Sequence, residues 1–404
     1  MKIGIIGAFD TKEKEHRFLG QCLVDLGWQV FYIDVGGLRM PEGAVDLTSE
    51  TIAKAGGCPS LEALHATDRA EWARIMSKGA ADLVADLVLK GDLSALIGLG
   101  GSGGTAVSTA AMRRLPLGFP KVMVSTMASG NVAPYVSTSD IIMVPSIVDV
   151  AGLNSFLEKI IQRAAAALDG ILRVPAAEGN TKPRIAASMF GNTTQCVERA
   201  RASLEESGYE VLVFHATGSG GRTMESIVES HCVEGVLDIT TTEWADEYLG
   251  GTLAAGPTRL EAAARSGTPA IVVPGCLDMC NFGCPDSVPD KFKNRLLYEH
   301  NPQVTLMRTS EAECRELGTI LADKVNQSTG LVEVVLPIKG ISVISLPNGP
   351  FYDPQADRAL FEAIQSKLSS AIPCHQVPTD INAPEFADFC AERLRALMTK
   401  AKNL

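Results

Sequence analysis

The sequence predicts an α/β protein built from two doubly wound, Rossmann-like domains with mainly parallel sheets. Three features carry that expectation. Short apolar runs ending in glycine or small polar residues alternate with stretches of helical periodicity, which is the pattern of βαβ units. The pattern restarts after a stretch at 169–183 that carries glycines and prolines. The spacing Phe9…Gly27-Trp28 returns as Phe190…Gly208-Tyr209, with strand edges in register. A length of 404 residues suits two or three domains, each large enough for a core. The expected division is an N-terminal nucleotide-binding domain over 1–180 and a C-terminal α/β domain over 181–404. The repeat fits an internal duplication and, equally, two unrelated domains of one class.

Taken in order, residues 2–7 form an apolar run that enters Ala8-Phe9-Asp10-Thr11-Lys12. Leu19, Leu23 and Leu26 predict a helix over 13–26, which Gly27 stops. A second strand over 28–35 ends in Gly36-Gly37. Residues 39–60 read as an irregular excursion and 62–89 as a helix broken near Gly79. A buried strand over 94–97, a glycine turn and a helix over 106–115 form the centre. A strand over 121–126, a small-residue turn at Ala128-Ser129-Gly130-Asn131, a strand over 140–144 and a helix over 149–168 lead to the linker at 169–183.

The second half offers a strand over 185–190, a helix over 194–207, a strand over 210–215 and a helix over 223–230. Residues 236–239, 269–274 and 303–307 correspond to the strands at 94, 121 and 140. A strand over 331–336, a polar loop over 346–354 suited to a site, and a helix over 355–368 follow. A last helix over 384–401 carries the apolar stripe Phe386, Phe389, Leu394 and Leu397, suited to core or dimer contact.

The central turn, Gly98-Leu99-Gly100-Gly101-Ser102-Gly103-Gly104-Thr105, is the strongest chemical signal. A glycine-rich turn between strand and helix presents bare N–H groups at a helix N-terminus, where the macrodipole favours an anion. Gly98-x-Gly100-x-x-Gly103 matches the dinucleotide fingerprint, but the next strand ends in Ser125-Thr126 rather than an acidic residue, which disfavours NAD. Gly98-x4-Gly103-Gly104-Thr105 resembles a Walker loop with Gly104 in the lysine position. The phosphate charge must then be met by other donors or by Mg²⁺. The plain alternative is a turn needed only for close strand–helix packing.

In open α/β sheets, ligands sit outside the carboxyl ends of strands. That rule gives the expected nucleotide contacts Asp10, Thr11, Lys12, Gly36, Gly101, Ser102, Gly103, Gly104, Thr105, Thr126, Ser129 and Gly130. Lys12 is the candidate stand-in for the missing Walker lysine, and Thr105 offers a hydroxyl to phosphate or metal. In the second half the expected catalytic groups are Glu243, Asp278, Asn281, His300 and Asp353, a mixture suited to acid/base work. Helix capping is the plain alternative for the carboxylates. A second glycine turn, Thr217 to Thr223, could hold an anion or only open a helix.

The bulk numbers exclude some classes. A net charge of −11 without a basic cluster argues against a nucleic-acid surface. The uncharged stretch 94–112 is too rich in glycine and serine for a membrane span. Ten cysteines without a CxxC pair, and an opening that runs straight into a strand, predict a reducing, cytoplasmic setting. Cys276-x3-Cys280-x3-Cys284 lacks the tight pairs and fourth ligand of structural zinc, so no metal site is expected there. Neither GxSxG nor HExxH occurs.

Several long motifs belong together: Gly7-Ala8-Phe9-Asp10-Thr11-Lys12, Gly100 to Thr105, Phe214-His215-Ala216-Thr217-Gly218, Asp238 to Glu243, Pro274 to Met279, Asn281-Phe282-Gly283 and His300 to Thr309. With them the chain resembles, over essentially its whole length, a largely uncharacterised bacterial and plant family, that of the tomato mosaic virus resistance protein. The resemblance implies two α/β domains, ATP in the N-terminal half and a homodimer. In plants the family looks fused to a TIM-barrel domain similar to phosphoenolpyruvate-utilising enzymes, so a separate TIM-barrel partner is implied in bacteria. Cys276, Cys280 and Cys284 depart from the small or apolar residues expected there. The family supplies no reaction. Two functions follow as expectations: an ATP-binding protein, with Mg²⁺, coupled to chemistry on a small carboxylate or phosphorylated metabolite, or a non-catalytic scaffold for a barrel enzyme.

Overall fold

A computed structural model describes residues 2–37, 39–174 and 182–403. The chain divides into two compact units, Met1–Gly179 and Asn180–Leu404. Among the described residues no helix is long and apolar enough to cross a membrane. All ten cysteines are free thiols.

The N-terminal unit holds β1 (Lys2–Gly7), β2 (Gln29–Asp34), β3 (Leu93–Gly100), β4 (Lys121–Ser125) and β5 (Ile142–Pro145), in the order β2-β1-β3-β4-β5. Every neighbouring pair is parallel. Alternate side chains enter opposite faces, as a strand's two-residue period requires. Ile3, Ile5, Ala95, Ile97, Val122 and Val124 meet the helices Phe9–Asp25 and Ser155–Arg173. Ile6, Leu96 and Met123 meet the helices Arg69–Leu89 and Ser102–Arg113 on the other face. Both faces are thus covered, which is why these strands read as near-continuous apolar runs.

Three local expectations change. The first helix starts at Phe9 rather than residue 13, with a kink at Lys12 (φ −134°, ψ 33°). The helix expected over 62–89 breaks at Ala66–Asp68, not at Gly79. Asp68 caps the second piece, accepting from the N–H of Ala70 at 2.9 Å and of Glu71 at 2.8 Å. Gly79 sits inside that helix because a Cβ there would lie 1.9 Å from the Ile52 carbonyl of the helix Ser49–Ala55, itself inside the expected excursion. The helix Ser155–Arg173 runs past Asp169, which accepts a hydrogen bond from Trp28 Nε1 at 2.8 Å, so the linker begins later than expected. The rest of the expected linker, 175–181, lies outside the described residues.

The C-terminal unit holds β6 (Arg184–Met189), β7 (Glu210–His215), β8 (Gly235–Thr240), β9 (Ala270–Gly275), β10 (Met279–Phe282), β11 (Leu297–Asn301), β12 (Val304–Arg308), β13 (Val332–Pro337) and β14 (Cys374–Val377). Its main sheet has the order β14-β13-β9-β8-β6-β7, all parallel. Reading β6 to β9 and β13 as first to fifth gives the strand order of the N-terminal unit, with β14 added. The expected counterpart of β5, over 303–307, is wrong. That segment is β12, paired antiparallel with β10 and β11 in a separate small sheet. The insertion between β9 and β13 displaced the count, and β13 holds the fifth place.

Candidate functional site

In a sheet ordered 2-1-3-4-5 the crevice opens between the carboxyl ends of strands 1 and 3, where the winding direction reverses. A cavity of about 630 Å³ lies there. Ala8, Asp10 and Thr11 line it from beyond β1, Gly36 and Gly37 from beyond β2, and Gly103 and Gly104 from beyond β3. Five expected nucleotide contacts, Asp10, Thr11, Gly36, Gly103 and Gly104, therefore share one hollow.

The turn itself is open. Gly101 caps the helix Ser102–Arg113, and the first intrahelical bond is Thr105 N–H to the Gly101 carbonyl at 2.8 Å. The N–H groups of Ser102, Gly103 and Gly104 precede it and carry the helix's positive end. A Cβ placed on Gly101, Gly103 or Gly104 would find its nearest neighbour at 3.9, 3.8 or 4.0 Å. Space for an oxyanion is thus present over the turn.

Two acidic groups shape the floor. Asp34 Oδ1 accepts the N–H of Phe9 at 3.0 Å and of Gly36 at 2.8 Å, tying the end of β2 to the first helix. Burial raises the Asp34 pKa above the usual carboxylate value, and neighbouring Asp10 adds to the rise. Asp10 Oδ2 accepts the Gly37 N–H at 2.9 Å. Gly36 is required there, since a Cβ would stand 2.5 Å from Asp10 Cγ. Beneath the turn, His16 faces the Lys12 carbonyl at 2.6 Å and the Leu99 carbonyl at 3.2 Å, and burial lowers its pKa.

The remaining expected contacts fall elsewhere. Lys12 Nζ donates to the Val150 carbonyl and is not on the cavity wall. Thr105 is fully buried, and its hydroxyl is 2.6 Å from Ser125 Oγ, so it is not presented to a phosphate or metal. Thr126 stands beside the turn, its Oγ1 being the atom 3.9 Å from the Gly101 Cβ position. Ser102 is exposed at the helix start, while Ser129 and Gly130 are exposed and outside the lining.

The missed residues supply what Lys12 does not. Arg69, His65, Asp68 and Trp72 line the same cavity. Arg69 Nη2 lies 3.8 Å from the Gly103 Cβ position and has no ion-pair partner among the described residues. It therefore brings a free positive charge over the glycine turn. Trp72 Nε1 approaches to 2.9 Å of where a Gly37 Cβ would be, placing a flat indole on the wall. The Asp68 cap was readable as a helix start and would have marked Arg69 as a first-turn residue. Nothing local linked it to the turn at 101.

The expected catalytic residues of the second half do not form one group. Glu243 has no exposed surface. Its Oε1 accepts from Gly218 N–H at 2.7 Å and Gly221 N–H at 3.1 Å, and Oε2 from Arg259 Nε at 2.7 Å. Arg259 also holds Asp238 through two bonds, at 2.5 and 2.7 Å. The second glycine turn thus carries a protein carboxylate in its own cradle. Asn281 lies on β10, its Nδ2 donating to Asp246 Oδ2 at 2.8 Å, and burial pushes Asp246 up to about 7. Asp278 is buried against Ser342 Oγ at 2.7 Å, with its pKa raised by burial. Asp353 caps the helix Pro354–Lys367 through the N–H of Gln355 at 3.1 Å and of Ala356 at 3.0 Å. Arg308 joins these last two, reaching the Asp278 and Asp353 carbonyls at 3.4 and 3.2 Å and Asp357 Oδ1 at 2.6 Å. His300 is exposed on β11, facing Tyr298 at a ring separation of 6.5 Å.

Comparison with known proteins agrees with this division. The models described as "Uncharacterised protein family (UPF0261)", N-terminal and C-terminal domain, match residues 1–177 and 182–398. A UPF0261 protein of Clostridium tetani is 43% identical over 401 residues, 99% of either chain. One from Rhizobium meliloti is 43% identical over 389 residues, 96% of either chain. The ToMV resistance protein Tm-1(GCR237) of Solanum lycopersicum is 39% identical over 338 residues, 82% of this chain and 45% of the tomato protein.

Proposed function

The chain belongs to the UPF0261 family, and we propose that its N-terminal unit binds ATP at the β1–β3 crevice. One observation carries the reading: the glycine turn over Gly101–Gly104 opens into the cavity, with the Arg69 guanidinium beside it. The β/γ-phosphates would take the first-turn N–H groups and Arg69, whose planar fork suits phosphate oxygens. The adenine would lie against Trp72, because base and indole stack face to face. Mg²⁺ would travel with the phosphates, a mode that needs only one or two carboxylates and leaves several waters on the ion. Asp10, on the wall, would supply one such carboxylate. Bound there, the ion would neutralise phosphate charge.

Calorimetry with ATP and Mg²⁺ in the millimolar range tests the reading. Heat is expected for the parent and none for Gly104→Asp, whose side chain has room to fold but sets a negative charge in the cradle. Absence of heat with the parent, or equal heat with both, overturns it.

A further inference from the structure

A second cavity, of about 840 Å³, lies in the C-terminal unit beyond the carboxyl ends of β13 and β14. Three features mark it as a built site. Its wall carries two cations, Lys339 and Arg358, neither with an ion-pair partner among the described residues. Asp357, 7% exposed, also lines it, and its Oδ1 is held by Arg308 Nη2 at 2.6 Å. The loop after β13 is fixed tightly, with Ser345 N–H on Ser342 Oγ at 3.0 Å, Ile341 N–H on Ser345 Oγ at 3.0 Å, and Asn348 left-handed at φ 71°. Rigid loops at strand ends are where binding groups are held in place.

The charge balance behind the wall is uneven. Arg308, 4% exposed, serves both Asp357 and the fully buried Asp278. Asp278 Oδ1 has no hydrogen-bond partner among the described residues. Two buried carboxylates and one guanidinium favour keeping a proton within the group, and burial pushes Asp357 up to about 7. A protonated Asp357 donates a hydrogen bond where an ionised one would repel an anion.

We propose that this cavity takes a small hydroxylated carboxylate, of the hydroxy-acid or sugar-acid class, its carboxylate held between Lys339 and Arg358 and its hydroxyls by the acidic and amide groups of the wall. Glu362, Asp380 and Gln376 provide those acceptors. A ligand hydroxyl donates to them, which a plain dicarboxylate such as succinate cannot do. The site does not rest on the nucleotide reading, and its test contains no nucleotide.

The full chain is titrated calorimetrically at pH 6 with lactate, malate and gluconate, and separately with succinate and inorganic phosphate. At least one hydroxy acid is expected to bind more tightly than succinate. The Lys339→Ala/Arg358→Ala double variant is expected to lose roughly tenfold or more in that affinity. Both substitutions are at exposed positions, so the variant is expected to keep its melting temperature. No binding of the three hydroxy acids into the tens of millimolar overturns the proposal. Binding that the double variant retains, or a preference for phosphate, does so too.

Discussion

Glu243 Oε1 accepts the Gly218 N–H at 2.7 Å, placing a buried carboxylate where a helix N-terminus would otherwise take a ligand anion. The two glycine turns of this chain are alike in sequence and opposite in state. A Cβ at Gly220 would meet the His215 carbonyl at 1.8 Å, and one at Gly221 would meet Glu243 Oε2 at 2.1 Å. The turn over Gly101–Gly104 meets no such neighbour. The second turn is therefore closed by packing and by an internal anion, and the first is open.

Removing that anion should be costly and should open the cradle. Glu243→Ala leaves Arg259 with Asp238 and Glu225 but strips two N–H groups of their acceptor. Breaking one partner out of a buried ion pair costs about 3–5 kcal/mol, and the remaining partners place this case toward the lower end. Chemical denaturation measures the loss. Sulfate should raise the melting temperature of the variant by more than that of the parent, whose first turn and general salt response are common to both; equal rises in the two would refute the role given to Glu243.

Arg69→Met should weaken ATP binding far more than adenosine binding. Hydrogen bonds to charged groups contribute about 1.5–3 kcal/mol, so a loss of roughly 10- to 100-fold is expected for ATP. Paired calorimetric titrations with the two ligands separate a phosphate contact from a general disturbance of the cavity.

The indole of Trp72 should report nucleotide binding. The chain has three tryptophans, of which Trp244 is buried and Trp28 is bonded to Asp169. Quenching of emission on addition of ATP is expected for the parent and should vanish in Trp72→Phe. Quenching that persists in the variant would remove Trp72 from the site.

Asp246 should give the C-terminal unit an inverse pH dependence. Its pKa rises from 3.8 to about 7 on folding, so between those values the folded state holds a proton that the unfolded state has released. Stability from this group therefore falls as pH rises from about 4 to about 7 and is level above. Asp246→Asn should flatten that part of the profile. Its new amide can meet Asn281 Oδ1, which has no partner among the described residues, once the Asn281 side chain turns over. Urea titrations at pH 5 and pH 8 check the difference, and an unchanged slope would assign the pH dependence to other groups.

Much of the architecture was legible because it is written locally. Alternating apolar runs and helical spacing mark β1 to β4 and β6 to β9 wherever a strand is buried on both faces. The exceptions have physical causes. β12 has the composition of a core strand, and composition does not say that its partners are antiparallel. Gly79 looks like a breaker, and only the crossing helix at Ile52 shows that it is needed for close packing. Of the candidate site, the backbone part was readable and the side-chain part was not. Lys12 follows β1 as a phosphate lysine would, yet its Nζ turns to the Val150 carbonyl.

The sequence by itself determined the two α/β units, their strand succession and the presence of two glycine turns, because periodicity and turn chemistry act over a few residues. Only the tertiary structure decided which turn is open. That depends on groups brought from a distance: Glu243 closes one turn from more than 20 residues along the chain, and Arg69 reaches the other from a separate helix. Folding sets such pairs, and no local pattern encodes them.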